Sequence, residues 1–266
     1  MKIFLFPHQD DEFGAFYAID RAVADGDLLV VYLTDGAYGG TSAQTRRAES
    51  QAVLHRLGVR DEQIWFLGEQ LGVPNLGLRH HLERLLSALD AGVAERPVET
   101  IYVPAWEGGH PDHDAAVLLA LKLASSNREN PVTVWQFPMY SAYRCWVRPY
   151  RVLTPIREAG VVENTSIPWS RRMEHLALCS MYPSQKLTFL GLFPFILWHY
   201  LVLGVQQLQV VHPSIVQNRP HLGALLYERR GWLSWSQFEQ EVGGLLGTLS
   251  REEIGTRSIG IIRDSR

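Results

Sequence analysis

Residues 2–12, KIFLFPHQDDE, decide the fold because they join two different patterns. The run from Lys2 to Phe6 is short and apolar, as expected of a buried strand, and polar residues follow it from His8 to Glu12. The next segment, 15–24, has the pattern of a helix. A strand that passes through a polar turn into a helix is typical of the first half of a βαβ unit.

The same alternation continues over the first half of the chain. Short apolar runs predict further strands at 28–33, 64–67, 100–103 and 132–137. Helical patterns separate them at 44–57, 78–94 and 113–125. This rhythm predicts an α/β fold with right-handed βαβ units and a doubly wound, mostly parallel sheet.

Polar clusters follow three of the predicted strands. They are His8 to Glu12 after the first, Thr34-Asp35-Gly36 after the second and His110-Pro111-Asp112-His113 after the fourth. In sheets of this kind the ligand crevice lies outside the carboxyl ends of the strands. Core packing does not require such clusters, so they predict a functional site.

The composition excludes several function classes. With 25 basic and 28 acidic residues the formal net charge is −3, and no basic block offers a surface for nucleic acid. Cys145 and Cys179 lack the CxxC spacing of a zinc ribbon or redox site, which favours buried thiols in a reducing compartment. The apolar start is too short for a signal peptide, so we expect a cytoplasmic protein.

The residue types at the strand ends suit a hydrolytic zinc site. Such a site takes about three nitrogen or oxygen ligands and keeps one position open for water. His8 and Asp11 on one turn and His113 on another are candidate ligands. Asp10, between two of them, is the candidate general base. His110 is expected to act on the developing oxyanion or the leaving group, with Asp112 orienting it and raising its pKa.

Taken together, the motifs resemble a known family. Pro7 to Glu12 and His110 to Asp114 look like the paired signature of the PIG-L/LmbE-like zinc-dependent N-acetylglucosaminyl de-N-acetylases. The resemblance covers roughly residues 1–187 and implies a Rossmann-like fold. It also implies His8, Asp11 and His113 as metal ligands, Asp10 as the base, and His110 as the acid and oxyanion partner. Gln9 departs from the proline that many members have there.

Further segments share this resemblance and suggest substrate contacts. Thr34-Asp35-Gly36, Arg47-Ala48-Glu49 and Tyr182-Pro183-Ser184-Gln185 are similar to family elements. Arg47, Asp35 and Tyr38 are therefore candidate substrate-binding residues. The alternatives are a solvated helix face for Arg47 and ordinary turn chemistry for Asp35.

The C-terminal part departs from the pattern. We expect a catalytic core at 1–187 and an apolar, aromatic extension at 188–266 that packs on it. Residues 188–211 contain no Asp, Glu, Lys or Arg. They are interpreted first as a packed helix pair or a homo-oligomer interface. There are two alternatives. One is an interfacial segment that binds a lipid-linked substrate, and the other is a membrane span.

The sequence thus predicts a metal-dependent amide hydrolase. One Zn²⁺ per chain, or Fe²⁺ in its place, would support removal of the N-acetyl group from an N-acetyl-hexosamine moiety of a glycan, glycolipid or metabolite. The products would be a free amine and acetate. The alternatives are amidase action on a sugar–thiol conjugate and a non-catalytic carbohydrate- or lipid-binding protein. The expected location is the cytoplasm, with the inner face of the membrane as a peripheral site.

Overall fold

The computed structural model describes residues 1–126, 131–145 and 150–245, together with 247 and 249. The strands are β1 (Lys2–Phe6), β2 (Leu28–Tyr32), β3 (Ile64–Trp65), β4 (Thr100–Pro104), β5 (Thr133–Phe137), β6 (Tyr140–Ser141), β7 (Arg151–Val152), β8 (Val162–Ser166) and β9 (Val205–Val210). The helices are α1 (Phe16–Asp25), α2 (Ala43–Arg56), α3 (Leu67–Leu71), α4 (Leu82–Val93), α5 (Pro111–Ser126), α6 (Trp169–Leu178), α7 (Lys186–Trp198) and α8 (Leu226–Arg229).

Seven strands form one sheet in the order β3-β2-β1-β4-β5-β9-β8. The first five are parallel, whereas β9 and β8 are antiparallel to their neighbours. The predicted fold class, a Rossmann-like, mostly parallel α/β sheet, is confirmed. The chain adds β2 and β3 on one side of β1 and then β4 and β5 on the other. The strand order therefore reverses between β1 and β4, which is where such folds bind ligands.

The central strands are apolar throughout because both faces of the sheet are covered. Every residue of β2 is buried, as are four of the five in β1. Helices α4 and α5 pack on one face and α1, α2, α6 and α7 on the other, giving two separate cores. A parallel sheet covered on both faces requires such continuous hydrophobic runs.

Most predicted boundaries differ from the structure by one or more residues. Strand β3 ends at Trp65 rather than at 67, because α3 begins at Leu67. Helix α5 begins at Pro111 rather than near His113, in keeping with the preference for proline in the first helical turn. Both Asp112 and His113 therefore lie in the first turn of α5.

The apolar segment 188–211 is not one helical unit. Helix α7 continues into a π-helix, His199–Leu203, and Gly204 then reverses the chain with a φ of 57°. Strand β9 follows and pairs with β5 inside the main sheet. The segment assigned to an extension therefore supplies part of the core. The last residues of that extension, 250–266, lie outside the described residues. The division at residue 187 stays a prediction.

Candidate metal and active site

The two predicted motifs meet because β1 and β4 are parallel neighbours. The turn after β1 is held by Thr34, whose hydroxyl donates to the Pro7 carbonyl oxygen at 2.7 Å. The Gln9 amide donates to the Thr34 carbonyl oxygen at 3.1 Å. Gly36, with a φ of 67°, leaves room for that amide, since a Cβ there would lie 1.7 Å from Gln9 Oε1. Gln9 thus fastens the first motif to the Thr34-Asp35-Gly36 turn.

His8, Asp11 and His113 form a buried cluster that could hold a metal ion. One ligand atom of each lies within 4.8 Å of the others. Asp11 Oδ1 is 3.0 Å from His113 Nε2, and Asp11 Oδ2 is 3.3 Å from His8 Nδ1. His113 Nδ1 is buried without a hydrogen-bond partner among the described residues. Two imidazoles and one carboxylate are the donor set of a catalytic zinc site, so these residues fit one divalent ion.

The electrostatics of the cluster favour a cation. Burial alone would raise the pKa of Asp11, but His113 and His8 hold it far below its usual range. Burial alone would lower the pKa of His8, yet the Asp11 and Asp112 carboxylates raise it to about 9. A position that stabilises positive charge so strongly also suits a divalent ion, which competes with the proton for the same atoms.

Asp10 lies beside the cluster and faces the same cavity. Its Oδ1 is 2.7 Å from Arg46 Nη2, and this guanidinium is buried. Burial raises the pKa of Asp10 to about 6 against the opposing charge of Arg46, and the charge of Asp11 adds to the rise. A carboxylate with a pKa near neutrality is suited to general base work.

His110 is held in one orientation by the backbone. Its Nδ1 accepts a hydrogen bond from the Asp112 backbone N–H at 3.1 Å, which leaves Nε2 as the donor. Burial and the neighbouring His8 and His113 lower the pKa of His110 well below its usual value. A neutral imidazole that donates through Nε2 can stabilise an oxyanion.

Asp112 orients His110 through its backbone N–H, but the predicted effect of its carboxylate on His110 is wrong. Its carboxylate lies 4.0 Å from His110 Nδ1, too far for a hydrogen bond, and the pKa of His110 is lowered rather than raised. Asp112 instead accepts hydrogen bonds from the backbone N–H groups of Leu76 and Leu78, at 2.7 and 3.1 Å. It also lies 3.2 Å from His8 Nε2. Asp112 therefore orients a candidate metal ligand.

A cavity of about 380 Å³ opens over these residues. One wall is apolar and comes largely from α7, and the opposite wall is polar and aromatic. The lining residues outside the two motifs are Phe13, Tyr38, Arg46, Asn75, Tyr140, Tyr150, Gln185, Leu187, Thr188, Phe189, Gly191, Leu192, Arg230 and Trp232. The cavity is large enough for a small ligand, within the usual range for such sites.

The predicted substrate contacts fare differently. Tyr38 lines the cavity, and its ring lies 6.4 Å from that of Trp232. Asp35 does not line it, and its carboxylate accepts a hydrogen bond from the Ala37 N–H within a turn. Arg47 points away, with its guanidinium over the Phe66 ring at 4.7 Å. Only the Tyr38 assignment agrees with the geometry.

Arg46, rather than Arg47, reaches the site. The periodicity of α2 could have indicated this, because Arg46 lies on the same face as the buried Ser50, Val53 and Leu54. Glu49, three residues after Arg46, accepts hydrogen bonds from the backbone and hydroxyl of Ser184 at 2.8 and 2.5 Å. This contact fixes the segment that leads Gln185 and α7 to the cavity.

Trp232 has no sequence signal that links it to the motifs. Its ring packs against His110, with 5.0 Å between ring centroids, and the Arg230 guanidinium lies over the same ring, 4.7 Å from its centroid. These residues belong to the C-terminal segment and reach the cavity only through the fold.

Solved structures share this architecture. A teicoplanin-pathway deacetylase matches with 19% identity and a TM-score of 0.59 over 79% of this chain and 97% of that chain. The N,N'-diacetylchitobiose deacetylase from Pyrococcus horikoshii matches with 18% identity and a TM-score of 0.58 over 83% and 87%. The 4-carboxy-2-hydroxymuconate hydratase from Pseudomonas putida matches with 16% identity and a TM-score of 0.52 over 79% and 95%. The fold therefore carries more than one chemistry.

The His–Asp–His cluster and the adjacent carboxylate at the edge of the sheet are suited to metal-dependent hydrolysis. Residues 3–124 match the model of the PIG-L family, described as GlcNAc-PI de-N-acetylase. No curated protein sequence matches the chain. The predicted family and the predicted enzyme class, a metal-dependent amide hydrolase, are confirmed by the family match.

Proposed function

We propose that the protein is a zinc-dependent hydrolase that removes the N-acetyl group from an N-acetyl-hexosamine moiety. The observation that carries the proposal is that Asp10 and His110 line the same cavity as His8 and Asp11, two members of the His8, Asp11 and His113 cluster. A binding protein needs neither a base nor an oxyanion donor beside a metal. Two of the similar folds are described as deacetylases, which agrees with this chemistry.

The reaction is amide hydrolysis, in which water adds to the acetyl carbonyl and the C–N bond breaks to give acetate and a free amine. His8, Asp11 and His113 would hold the ion, which lowers the pKa of water toward about 7 and polarises the carbonyl. Asp10 accepts the proton that the water loses. His110 donates a hydrogen bond from Nε2 to the carbonyl oxygen as negative charge develops there. The proton held by Asp10 then passes to the departing nitrogen.

Acetate release from N-acetylglucosamine glycosides tests the proposal. We expect turnover that a chelator abolishes and that added Zn²⁺ restores, with Fe²⁺ compared as the alternative ion. Asp10→Asn should lose at least about a hundredfold in kcat while retaining the metal. Release of a different acid from sugar–thiol conjugates would favour the amidase alternative. If the metal-loaded protein binds the glycosides without hydrolysing them, the alternative of a non-catalytic carbohydrate-binding protein would be favoured.

The aglycone is proposed to be apolar, as in a lipid-linked amino sugar. One wall of the cavity is apolar and is formed by Leu187, Phe189 and Leu192. These residues follow the polar Gln185 within a few positions along α7. We expect an octyl glycoside to be hydrolysed with a higher kcat/KM than the methyl glycoside, since each buried CH₂ group contributes about 0.8 kcal/mol. Equal kcat/KM values for the two glycosides would mean that the enzyme recognises the sugar and not an apolar aglycone. The enzyme would work in the cytoplasm or at the inner face of the membrane.

A further inference from the structure

The outer side of α7 and of the π-helix that follows it is an exposed apolar surface. The described helical stretch Pro183–Leu203 is long and apolar enough to span a membrane, with a mean hydropathy of 1.5 in its most apolar window, of which 28% is buried. Its inner side, with Phe189, Leu192 and Ile196, packs in the core. The exposed residues after Lys186 include one hydroxyl and no charge: Leu187, Thr188, Leu190, Gly191, Phe193, Pro194, Trp198, Leu201, Val202 and Leu203. We call these residues the α7 face.

Helix α6 extends this surface. It packs beside the π-helix, and its Trp169 and Met173 are 58% and 46% exposed. Trp198 on the α7 face is 62% exposed. Large apolar side chains grouped in this way are uncommon on a protein that meets only water. Tryptophan is enriched where proteins meet the headgroup region of a bilayer.

The charged residues that flank the α7 face in the sequence are basic. No Asp or Glu occurs from residue 175 to residue 227. Lys186 stands at the start of α7, and Arg172 lies at the other end, over the Trp169 ring at 5.6 Å and against Gly204. Neither has a carboxylate partner among the described residues. A surface that is apolar in the middle and cationic at both ends complements anionic headgroups over acyl chains.

We propose that the α7 face docks on an anionic lipid bilayer and lies in its interface. A second copy of the chain is a poorer occupant for an electrostatic reason. In a two-fold dimer through an antiparallel helix pair, Lys186 of each copy would approach Arg172 of the other, and like charges across an interface are unfavourable. The strand β9 that follows at once returns to the central sheet, so the helix lies along the protein surface.

The docked orientation also bears on the substrate, a point that rests on the proposed function. Leu187 and Gly191 belong both to the α7 face and to the lining of the cavity. Docking would therefore hold the cavity mouth beside the headgroups. An amphiphilic amino sugar could then enter the site while its apolar part remains among the lipids.

Vesicle flotation with the full chain tests the docking. We expect binding to phosphatidylcholine vesicles that contain about 30% phosphatidylglycerol, and weaker binding without the anionic lipid. The double variant Leu190→Ser/Trp198→Ser should lower the partition coefficient at least about tenfold. The control Val161→Ser/Leu222→Ser removes side chains that are 85% and 94% exposed outside the α7 face and should bind as the parent does. Unchanged melting temperatures would establish that both variants are folded.

Two results would overturn the docking proposal. One is the absence of parent protein from the floated fraction, and the other is equal binding of both double variants. A parent that is dimeric by light scattering, does not float, and becomes monomeric on Leu190→Ser/Trp198→Ser would assign the α7 face to a second copy. Hydrolysis of a soluble methyl glycoside should be the same in parent and double variant, since neither residue lines the cavity. Loss of vesicle binding with retained hydrolysis would therefore separate this proposal from the proposed function.

Discussion

Asp10 adopts a φ of 140°, a backbone conformation that residues with a side chain rarely occupy. Two neighbours hold it there. The Asp10 N–H donates to Glu12 Oε2 at 3.0 Å, and Arg46 donates to the Gln9 carbonyl oxygen at 2.5 Å while pairing with the Asp10 carboxylate. Because these contacts fix both the backbone and the carboxylate, Arg46 positions the candidate base.

The adjacent arginines allow a matched test of that role. We expect Arg46→Ala to lower kcat/KM for deacetylation by at least about a hundredfold, because the base loses its position. It should also destabilise the fold by about 3 kcal/mol, since the largely buried Asp10 carboxylate loses its cation. Arg47→Ala should keep kcat/KM within about twofold of the parent value. The Arg47 side chain is half exposed, and its carboxylate partner, Glu69, is 3.5 Å away.

Urea unfolding and steady-state kinetics would measure the two effects in the same preparations. Similar losses in both variants would contradict the assignment. A stability loss in Arg46→Ala with unchanged kinetics would make Arg46 structural.

At the scale of elements, α6 is fastened to α1 through Asp20. His175 Nε2 lies 2.8 Å from Asp20 Oδ2, and Arg171 Nε donates to the same oxygen at 2.8 Å. Burial alone would raise the pKa of Asp20, but His175 and Arg171 hold it below its usual value of 3.8. This contact supports the helix whose Trp169 and Met173 extend the α7 face.

The lowered pKa of Asp20 gives a pH-dependent stability with a defined sign. A carboxyl group whose folded pKa lies below its unfolded pKa stabilises the fold fully above about pH 4, and the stabilisation disappears as the pH falls through the folded pKa. Asp20→Asn should therefore cost about 2 kcal/mol at neutral pH, and the difference from the parent should shrink below about pH 4. Urea unfolding across that range measures it. A difference that grows on acidification would refute the assignment.

The elements differ in how far the sequence predicts them. The sequence predicts β1 to β5 because each lies in a short, largely apolar run. Strands β8 and β9 were missed, since VENTS and VQQLQV are too polar to resemble interior strands. The side-chain amides of the buried Gln206 and Gln209 donate to distant backbone oxygens, those of Gly14 and of Ile156 and Gly160. Such partners are unknown until the chain is folded.

The same contrast holds for the site. The candidate ligands were found because His8, Asp11 and His113 occur in short motifs whose spacing reflects local turns. Arg46 was missed because the resemblance drew attention to its neighbour, although helix periodicity favoured it. The contact between Trp232 and His110 could not be predicted, since more than a hundred residues separate the two rings in the sequence.

At the scale of the whole molecule, the candidate metal site joins the two halves of the sheet. His8 and Asp11 follow β1, and His113 lies on α5 after β4. The strand order of the sheet reverses between β1 and β4. Asp112, next to His113, is also bonded to the loop at 76–78 that leads from β2 and β3 toward α4. A bound ion would therefore be linked to the stability of the whole sheet.

This linkage predicts a melting temperature that depends on metal. An ion present at about a hundredfold excess over its Kd stabilises the folded state by about 2.7 kcal/mol. In a chain of this size that corresponds to roughly 5–10 °C, which a chelator should remove. His113→Ala should show no response to the chelator, because one of the three ligands is gone. His55→Ala, an exposed histidine paired with Asp61, should respond as the parent does. Since melting requires no substrate, a parent protein whose melting temperature ignores both chelator and added Zn²⁺ would rule out the metal site, whatever glycoside the enzyme uses.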